Sequence, residues 1–553
     1  MSTTAPAAAP FELGLVMAGA VSAGAYTAGV LDFLYLALDE WQAALARGEP
    51  VPDHRVQLRV VTGASAGGIC GAIALSEIAW RSEPVAADPG PRCANRFFDT
   101  WVNRIDISAL LGSSDAMDQG PRALLDCSVL DEVATSVLQG SGLPRQVPWV
   151  APQLDLLMTV TNLRGVPYSL GFQGSTQRDG MVSHADHVHW SLSADGQAGP
   201  PAALRLRWDQ LGQSTGAAGL MPVAALATAA FPVALQPRVL RYDFAPGRPD
   251  LYSLRPLSVG DANEMACDWG PAGPPRPYEF LCVDGGVMNN EPLELARRCL
   301  AGAQGYNPRP GELATRALLM IDPFPEGEAL APDYSAPAQA DLLATGFGLF
   351  SALIQQSRFK PEELALASDP EVFSRFLISP VRKDNQGQAV RGSASGIASA
   401  ALGGFAGFLD RGLRLHDFLL GRRNAQQFLR AHLDLPAVNP LFDSWSGAAW
   451  ASGWQHEGVH GEAMLPIIPL LGRAALPIAL PDWPQVGRAR LAEVGDALGH
   501  RYQHVTHGAI GHYIPSWLGR VAAKLLAASQ RDAVVAKLGQ VLQTELGKAD
   551  LLG

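Results

Sequence analysis

Ser65 stands in a Gly63-Ala64-Ser65-Ala66-Gly67 turn, a spacing in which a serine hydroxyl does nucleophilic chemistry. The residues before it end in the β-branched run Val60-Val61-Thr62, and residues 69–80 carry the pattern of a helix. Strand, tight turn, helix is the order that lifts a serine clear of a sheet. Gly63 and Gly67, without Cβ atoms, allow a sharp turn and close packing of the helix behind Ser65. The start of that helix also presents free N–H groups where negative charge develops. Ser65 is the candidate nucleophile.

Rival chemistries rest on thinner patterns. Residues 62–69 (Thr-Gly-Ala-Ser-Ala-Gly-Gly-Ile) resemble the dinucleotide-binding turn of short-chain dehydrogenases, but Ile69 replaces the last glycine and no tyrosine is followed four residues later by lysine. His184, His187 and His189 surround Asp186, yet alternate strand positions face opposite ways and no second cluster completes a coordination shell. His500, His504 and His507 share a helical face without a carboxylate at matching spacing. The six cysteines, Cys70, Cys93, Cys127, Cys267, Cys282 and Cys299, show no Cys-x-x-Cys spacing and read as free thiols. No metal and no cofactor is expected.

The elements that must position Ser65 follow from the chain order. Residues 12–17 are an almost wholly apolar strand, of the kind buried on both faces of a parallel sheet. Small residues fill 18–24, a helix covers 25–45, and a second strand, 56–62, runs into Ser65. This is a β-α-β unit with a right-handed crossover, and it brings the 18–24 loop to face Ser65 at the carboxyl ends of the strands. Further core strands are expected at 154–163, 278–283 and 317–321, with helices at 224–237 (ended by Pro232) and 291–300. Beyond residue 325 apolar helical stretches dominate, among them 336–357 and 393–413, and the apolar segment 464–481 reads as a cover over the site or a lipid contact.

At 553 residues, 48% apolar and 17% charged, the chain is a core-rich globular protein. A net charge of −11 without a basic run argues against nucleic acid as a partner. Residues 13–38 are apolar enough to mimic a signal peptide or a membrane span, but no Lys or Arg precedes them and Asp32 interrupts them. A cytoplasmic chain with neither signal peptide nor transmembrane helix is the expectation.

Three features now stand in order: the loop at Gly19, Ser65 in its turn, and Asp284-Gly285-Gly286 followed by Asn289-Asn290-x-Pro292. Together with Ala-Thr-Ala-Ala-Phe-Pro at 227–232, they resemble the patatin-like phospholipases over about residues 11–325. The resemblance implies an α/β fold, three-layer α/β/α with a mainly parallel central sheet, plus a largely helical C-terminal extension. It implies a flexible tail at 1–10, a catalytic domain at 11–325 and an apolar-rich extension or cover at 326–553. It also implies a lipid acyl hydrolase working through a Ser65–Asp284 dyad and an acyl-enzyme. Ser65 would attack an ester carbonyl, Asp284 would accept its proton, and backbone N–H groups of Gly19, Ala20 and Val21 would hold the oxyanion. Gly285 and Gly286 belong to the aspartate motif. The implied partner is a phospholipid or other fatty acyl ester, with peripheral membrane contact.

The first loop departs from the family pattern. Gly19-Ala20-Val21 replaces consecutive glycines and Ala23 replaces the usual arginine. A valine is strongly disfavoured if that position needs a positive φ. Two alternatives follow: a very slow or non-catalytic lipid-binding protein on the same scaffold, or a Ser-His-Asp esterase using His416, beside Asp417, or His432.

Overall fold

The computed structural model describes residues 9–171, 178–244, 249–255, 265–325, 342–358, 365–366, 369–383, 388–391, 396–445 and 448–553. Strands β1 (Phe11–Met17), β2 (Val56–Gly63), β3 (Val150–Gly171), β4 (Arg178–Ser193), β5 (Leu204–Arg207), β6 (Arg238–Tyr242), β7 (Ala266–Cys267), β8 (Tyr278–Asp284), β9 (Arg316–Ile321) and β10 (Arg375–Ile378) form one sheet. Its main path runs β10-β9-β1-β2-β3-β4-β5. The first five of these are mutually parallel, and β4 turns back antiparallel to β3. The chain is therefore mixed α/β with a mainly parallel central sheet.

Alternation along the strands builds a layer on each face. Leu15, Met17, Val61, Leu156 and Met158 join the main core, with side chains of α1 (Gly24–Ala46), α2 (Ala66–Ala79) and α3 (Gly216–Thr228). Val16, Val60, Leu157, Leu318 and Met320 pack on the other face against Leu293, Ala296 and Leu300 of α4 (Leu293–Ala301). The C-terminal region is helical in α5 (Leu342–Arg358), α6 (Arg411–Ala431), α7 (Arg488–Tyr513) and α8 (Trp517–Lys548).

Helix α1 is apolar on all sides because it is enclosed on all sides. The stretch Val21–Ala46 is long and apolar enough to cross a membrane, but 94% of its most apolar window is buried inside the fold. Asp32 accepts hydrogen bonds from Asn95 (2.8 Å) and the Val85 amide (3.1 Å) and pairs with Arg422 of α6. Two glycines let α1 and α6 cross closely. A Cβ on Gly29 would lie 2.0 Å from the Phe418 carbonyl, and one on Gly421 would lie 2.2 Å from the Tyr26 carbonyl.

These contacts correct the boundary expected after residue 325. Strand β10 extends the parallel sheet beside β9, and Phe418, Leu420 and Ile467 belong to the main core. A separate small core forms only farther on, where Val494, Leu546 and Leu551 meet Leu409 and Leu413. Other expectations also shift. The helix expected at 224–237 is Gly216–Thr228, carrying Pro222 within it, and the chain turns at Val233 with φ 70°. Within 393–413, residues 393–395 lie outside the described residues. Residues 398–408 form short 3₁₀ turns rather than a helix, because Leu402, Gly403 and Gly404 all take positive φ, and 411–413 already belong to α6. Of the helix expected at 336–357, residues 336–341 lie outside the described residues and the remainder is α5. Part of 464–481 is strand, Ala463–Pro466, and Gln426 of α6 donates to the carbonyls of Ala474 and Leu476 (both 2.7 Å). That segment packs on the core near α6 and α1, and none of its residues lines the Ser65 cleft.

Candidate active site

The site is built where two strands meet end to end along one edge of β3. Strand β2 pairs with β3 from Leu58↔Val150 to Gly63↔Met158. Two residues farther on, β8 takes over antiparallel, with Val160↔Asp284 and Asn162↔Cys282. The last residue of β8 thus arrives beside the point where β2 ends, and the turn after Gly63 carries Ser65 toward it. The Ser65 hydroxyl donates to Asp284 Oδ2 at 2.7 Å, across 219 positions of sequence.

Ser65 sits at φ 51°, ψ −125°, a region costly for a residue with a side chain, on the order of 1–3 kcal/mol. Neighbouring bonds hold it there. Its amide donates to Thr228 Oγ1 at 2.9 Å, and the amides of Gly68 and Ile69 donate to its carbonyl at 2.9 and 3.2 Å. The expected use of Gly63 and Gly67 as sharply turning residues is thereby corrected. The positive φ falls on Ser65 itself, and the glycines serve close approach instead. A Cβ on Gly67 would stand 2.4 Å from the Met17 carbonyl oxygen, so only glycine lets α2 start against the end of β1.

Asp284 is 4% exposed. Its Oδ1 accepts the Gly286 amide at 2.7 Å, which leaves Oδ2 for Ser65. Its backbone is fixed by its own N–H donating to the Ala230 carbonyl (2.9 Å) and by Thr161 Oγ1 donating to its carbonyl (2.7 Å). Desolvation in this apolar setting pushes the carboxyl up to about 7, against the opposing pull of the Ser65 and Gly286 hydrogen bonds. Gly285 donates to the Thr228 carbonyl at 3.0 Å, and Ser357 near the end of α5 donates to the Gly286 carbonyl at 2.7 Å.

The loop after β1 lies against Ser65: a Cβ on Gly19 would stand 3.2 Å from the Ser65 Cβ and 2.2 Å from Asn290 Oδ1. Val21 has φ 49°, the left-handed conformation that its side chain disfavours. The three amides expected to act together are not equivalent. Gly19 N–H donates to the Asn290 carbonyl at 3.1 Å and is already committed. Ala20 and Val21 lead into a 3₁₀ turn, and their amides have no backbone acceptor among the described residues. Ala66, the first residue of α2, likewise has no backbone acceptor for its amide among the described residues. Sequence reasoning named neither Ala66, Thr228 nor Asn290 as site residues. Thr228 and Asn290 lie inside segments already singled out, and their roles depend on contacts that no local pattern encodes.

Ser65 and Asp284 open on an apolar cleft of about 680 Å³ including its mouth. Its walls include Ile69, Trp101, Leu110, Phe231 and, from the C-terminal region, Phe405 and Phe408. Ser22 ties the two regions together by donating to the Gly404 carbonyl and accepting from the Gly407 amide at 3.1 Å. No histidine is among the described residues that line the cleft. His416 bonds instead to its neighbour Asp417 (3.0 Å) and stacks edge-on against Trp483, and His432 packs against Phe428.

The other titratable clusters are accounted for locally. Asp155, His189 and Cys299 converge between the sheet and α4, within 4.8 Å of one another. The carboxylate there already accepts from His189 (2.9 Å) and Gln153 (2.8 Å) and lies 3.8 Å from Arg59, so its charge is balanced by protein groups. His184 bonds the Asn162 carbonyl (2.7 Å), and His504 reaches the Asp115 carbonyl (3.2 Å). The six cysteines are free.

Comparison with known proteins adds one relative. The chain is 33% identical over 590 aligned residues to the uncharacterized protein y4iI of Sinorhizobium fredii (strain NBRC 101917 / NGR234), covering 98% of this chain and 82% of that protein. No protein-family model matches. Among solved structures, the crystal structure of VipD from Legionella pneumophila aligns over 94% of this chain and 90% of that one. Identity there is 12% and the TM-score 0.21, too low to carry an argument.

Proposed function

This chain belongs to the family of the rhizobial protein y4iI, and we propose that it is a patatin-like lipid acyl hydrolase using a Ser65–Asp284 dyad. The observation that carries the reading is the 2.7 Å hydrogen bond from the Ser65 hydroxyl to a buried carboxylate at the floor of an apolar cleft. Ser65 Oγ attacks the ester carbonyl while Asp284 takes the hydroxyl proton. A carboxylate held near 7 is a far better base than one near 4, and it stays ionised at neutral pH for part of the population. The oxyanion rests on the amides of Ala20 and Val21, with Ala66 as the third donor in reach of the same turn. Collapse of the tetrahedral intermediate expels the alcohol, which takes the proton back from Asp284. Water then repeats the sequence on the acyl-enzyme and releases the fatty acid.

The lining of Trp101, Phe231, Phe405 and Phe408 suits an acyl chain. A fluorophosphonate probe tests the reading. Wild type is expected to label on Ser65, Ser65→Ala to lose labelling and hydrolysis, and Asp284→Ala to lose at least ~100-fold in rate. Labelling that survives Ser65→Ala, or activity that survives Asp284→Ala but disappears in His416→Ala, would reject it. An unlabelled wild type that still binds lipid would favour the non-catalytic reading motivated by Val21 and Ala23.

A further inference from the structure

The turn between α7 and α8 presents apolar side chains to solvent. Tyr513 and Trp517 flank it, 69% and 71% exposed. Along α8, Val521 and Leu525 follow Trp517 at four-residue spacing, with Leu518 beside them, so the four share an arc of about a third of the helix circumference. They are not turned toward α7. From Trp517 to Val534 the half-buried positions on α8 are Gly519, Ala523, Ala527, Arg531 and Val534, and the first three lie on the opposite side from the stripe.

Charge is arranged beside that stripe. The exposed Arg520 and Lys524 fall on one row along its edge, while Arg531 farther along is half-buried and paired with Asp532 (3.0 Å). From Ala497 to Arg531 the chain contains no Asp or Glu, although the whole protein has 53 acidic residues and a net charge of −11. A second copy of the chain would set cationic rows against each other, which charge repulsion opposes. Aromatic side chains at the tip, an aliphatic stripe and a flanking cationic row are complementary to a lipid surface with anionic headgroups. The hairpin is also continuous with the cleft wall. Arg501 of α7 donates to the carbonyls of Leu124 (2.7 Å) and Gly112 (3.1 Å) and to Asp115 (2.8 Å), and the residue after Leu124, Leu125, lines the Ser65 cleft.

We propose that the tip of the α7–α8 hairpin docks the protein on membranes bearing anionic lipid. The interaction needs no hydrolysis, so it stands or falls independently of the dyad.

The test is cosedimentation of the full-length Ser65→Ala chain with vesicles of non-hydrolysable diether lipids, one set of phosphatidylcholine alone and one with about 30% phosphatidylserine. Binding to the anionic vesicles is expected, and it should fall as salt is raised from about 0.1 M to about 0.5 M. Arg520→Gln with Lys524→Gln is expected to weaken binding on the order of 30-fold, at about fivefold per cation. Trp517→Ser with Leu525→Ser should abolish it while circular dichroism and oligomeric state stay unchanged. These four residues are exposed, so the variants should fold. Absence of binding to either vesicle, equal binding to both, or a solution dimer that Leu525→Ser dissociates without any vesicle binding would overturn the proposal.

Discussion

Replacing Asp284 by asparagine isolates one titration, and its size follows from burial. The carboxyl is held at about 7 in the folded protein, against about 4 in an unfolded chain. The folded state therefore binds the proton more tightly. Between pH ~4 and ~7 the native protein keeps a proton that the unfolded chain has lost, so stability falls as pH rises through that window. Asp284 is 4% exposed, so little solvent screening reduces the effect, and a window about three pH units wide corresponds to on the order of 4 kcal/mol. The carboxamide of the variant has no such titration. Asp284→Asn should thus gain stability relative to wild type as pH is raised from about 4 to about 8, even if the absolute curves are offset by weaker hydrogen bonds to Ser65 and Gly286. Urea denaturation at a series of pH values gives the difference curve. Under the proposed dyad the same ionisation would gate the chemistry: kcat/KM of wild type on a soluble ester, followed in a pH-stat, should rise about tenfold per pH unit up to about 7 and then level off. A flat difference curve, or an activity inflection near pH ~4, would refute the reasoning, because either would mean that Asp284 is solvated like an ordinary aspartate.

Other outcomes follow from the backbone. Val21 at φ 49° costs about 1–2 kcal/mol, and glycine returns roughly half of the gain as unfolded-state entropy, so Val21→Gly should leave the protein as stable or up to ~1 kcal/mol more stable in urea. A loss above ~1 kcal/mol would mean that the valine's contacts in the cleft outweigh its strain. Gly67→Ala puts a methyl group 2.4 Å from the Met17 carbonyl and should destabilise by about 1–3 kcal/mol while broadening or abolishing probe labelling at Ser65. Unchanged stability and labelling there would show that α2 can retreat from β1.

The alternation and turn patterns placed β1, β2, β8 and β9 within a residue or two, because β1, β2 and β9 are short apolar runs largely buried on both faces and β8 alternates buried and exposed residues after Pro277. The expected β3 was far too short. Its second half, 164–171, still sends Val166 and Tyr168 into the main core, but it follows a register shift between Thr161 and Val166 where Gly165 takes φ 79°, and Gly165 and Pro167 read locally as a turn rather than as a continuing strand. The C-terminal boundary was misplaced for a similar reason: composition changes at residue 325, but β10 pairs with β9 through backbone hydrogen bonds that composition does not encode.

The sequence by itself determined which hydroxyl is presented, since Gly63-x-Ser65-x-Gly67 between a strand and a helix is a local arrangement of backbone and small residues. It also marked Asp284, though only through likeness to a family. Tertiary structure alone decided that the two touch, because this needs β8 to run antiparallel and finish where β2 ends on the shared edge of β3. It decided too that the Gly19 amide is spent on Asn290, and that Asp284 is poised near neutrality. Hydrogen-bond partners and desolvation are properties of what surrounds a residue in space, and neighbours more than two hundred positions away supply most of them here.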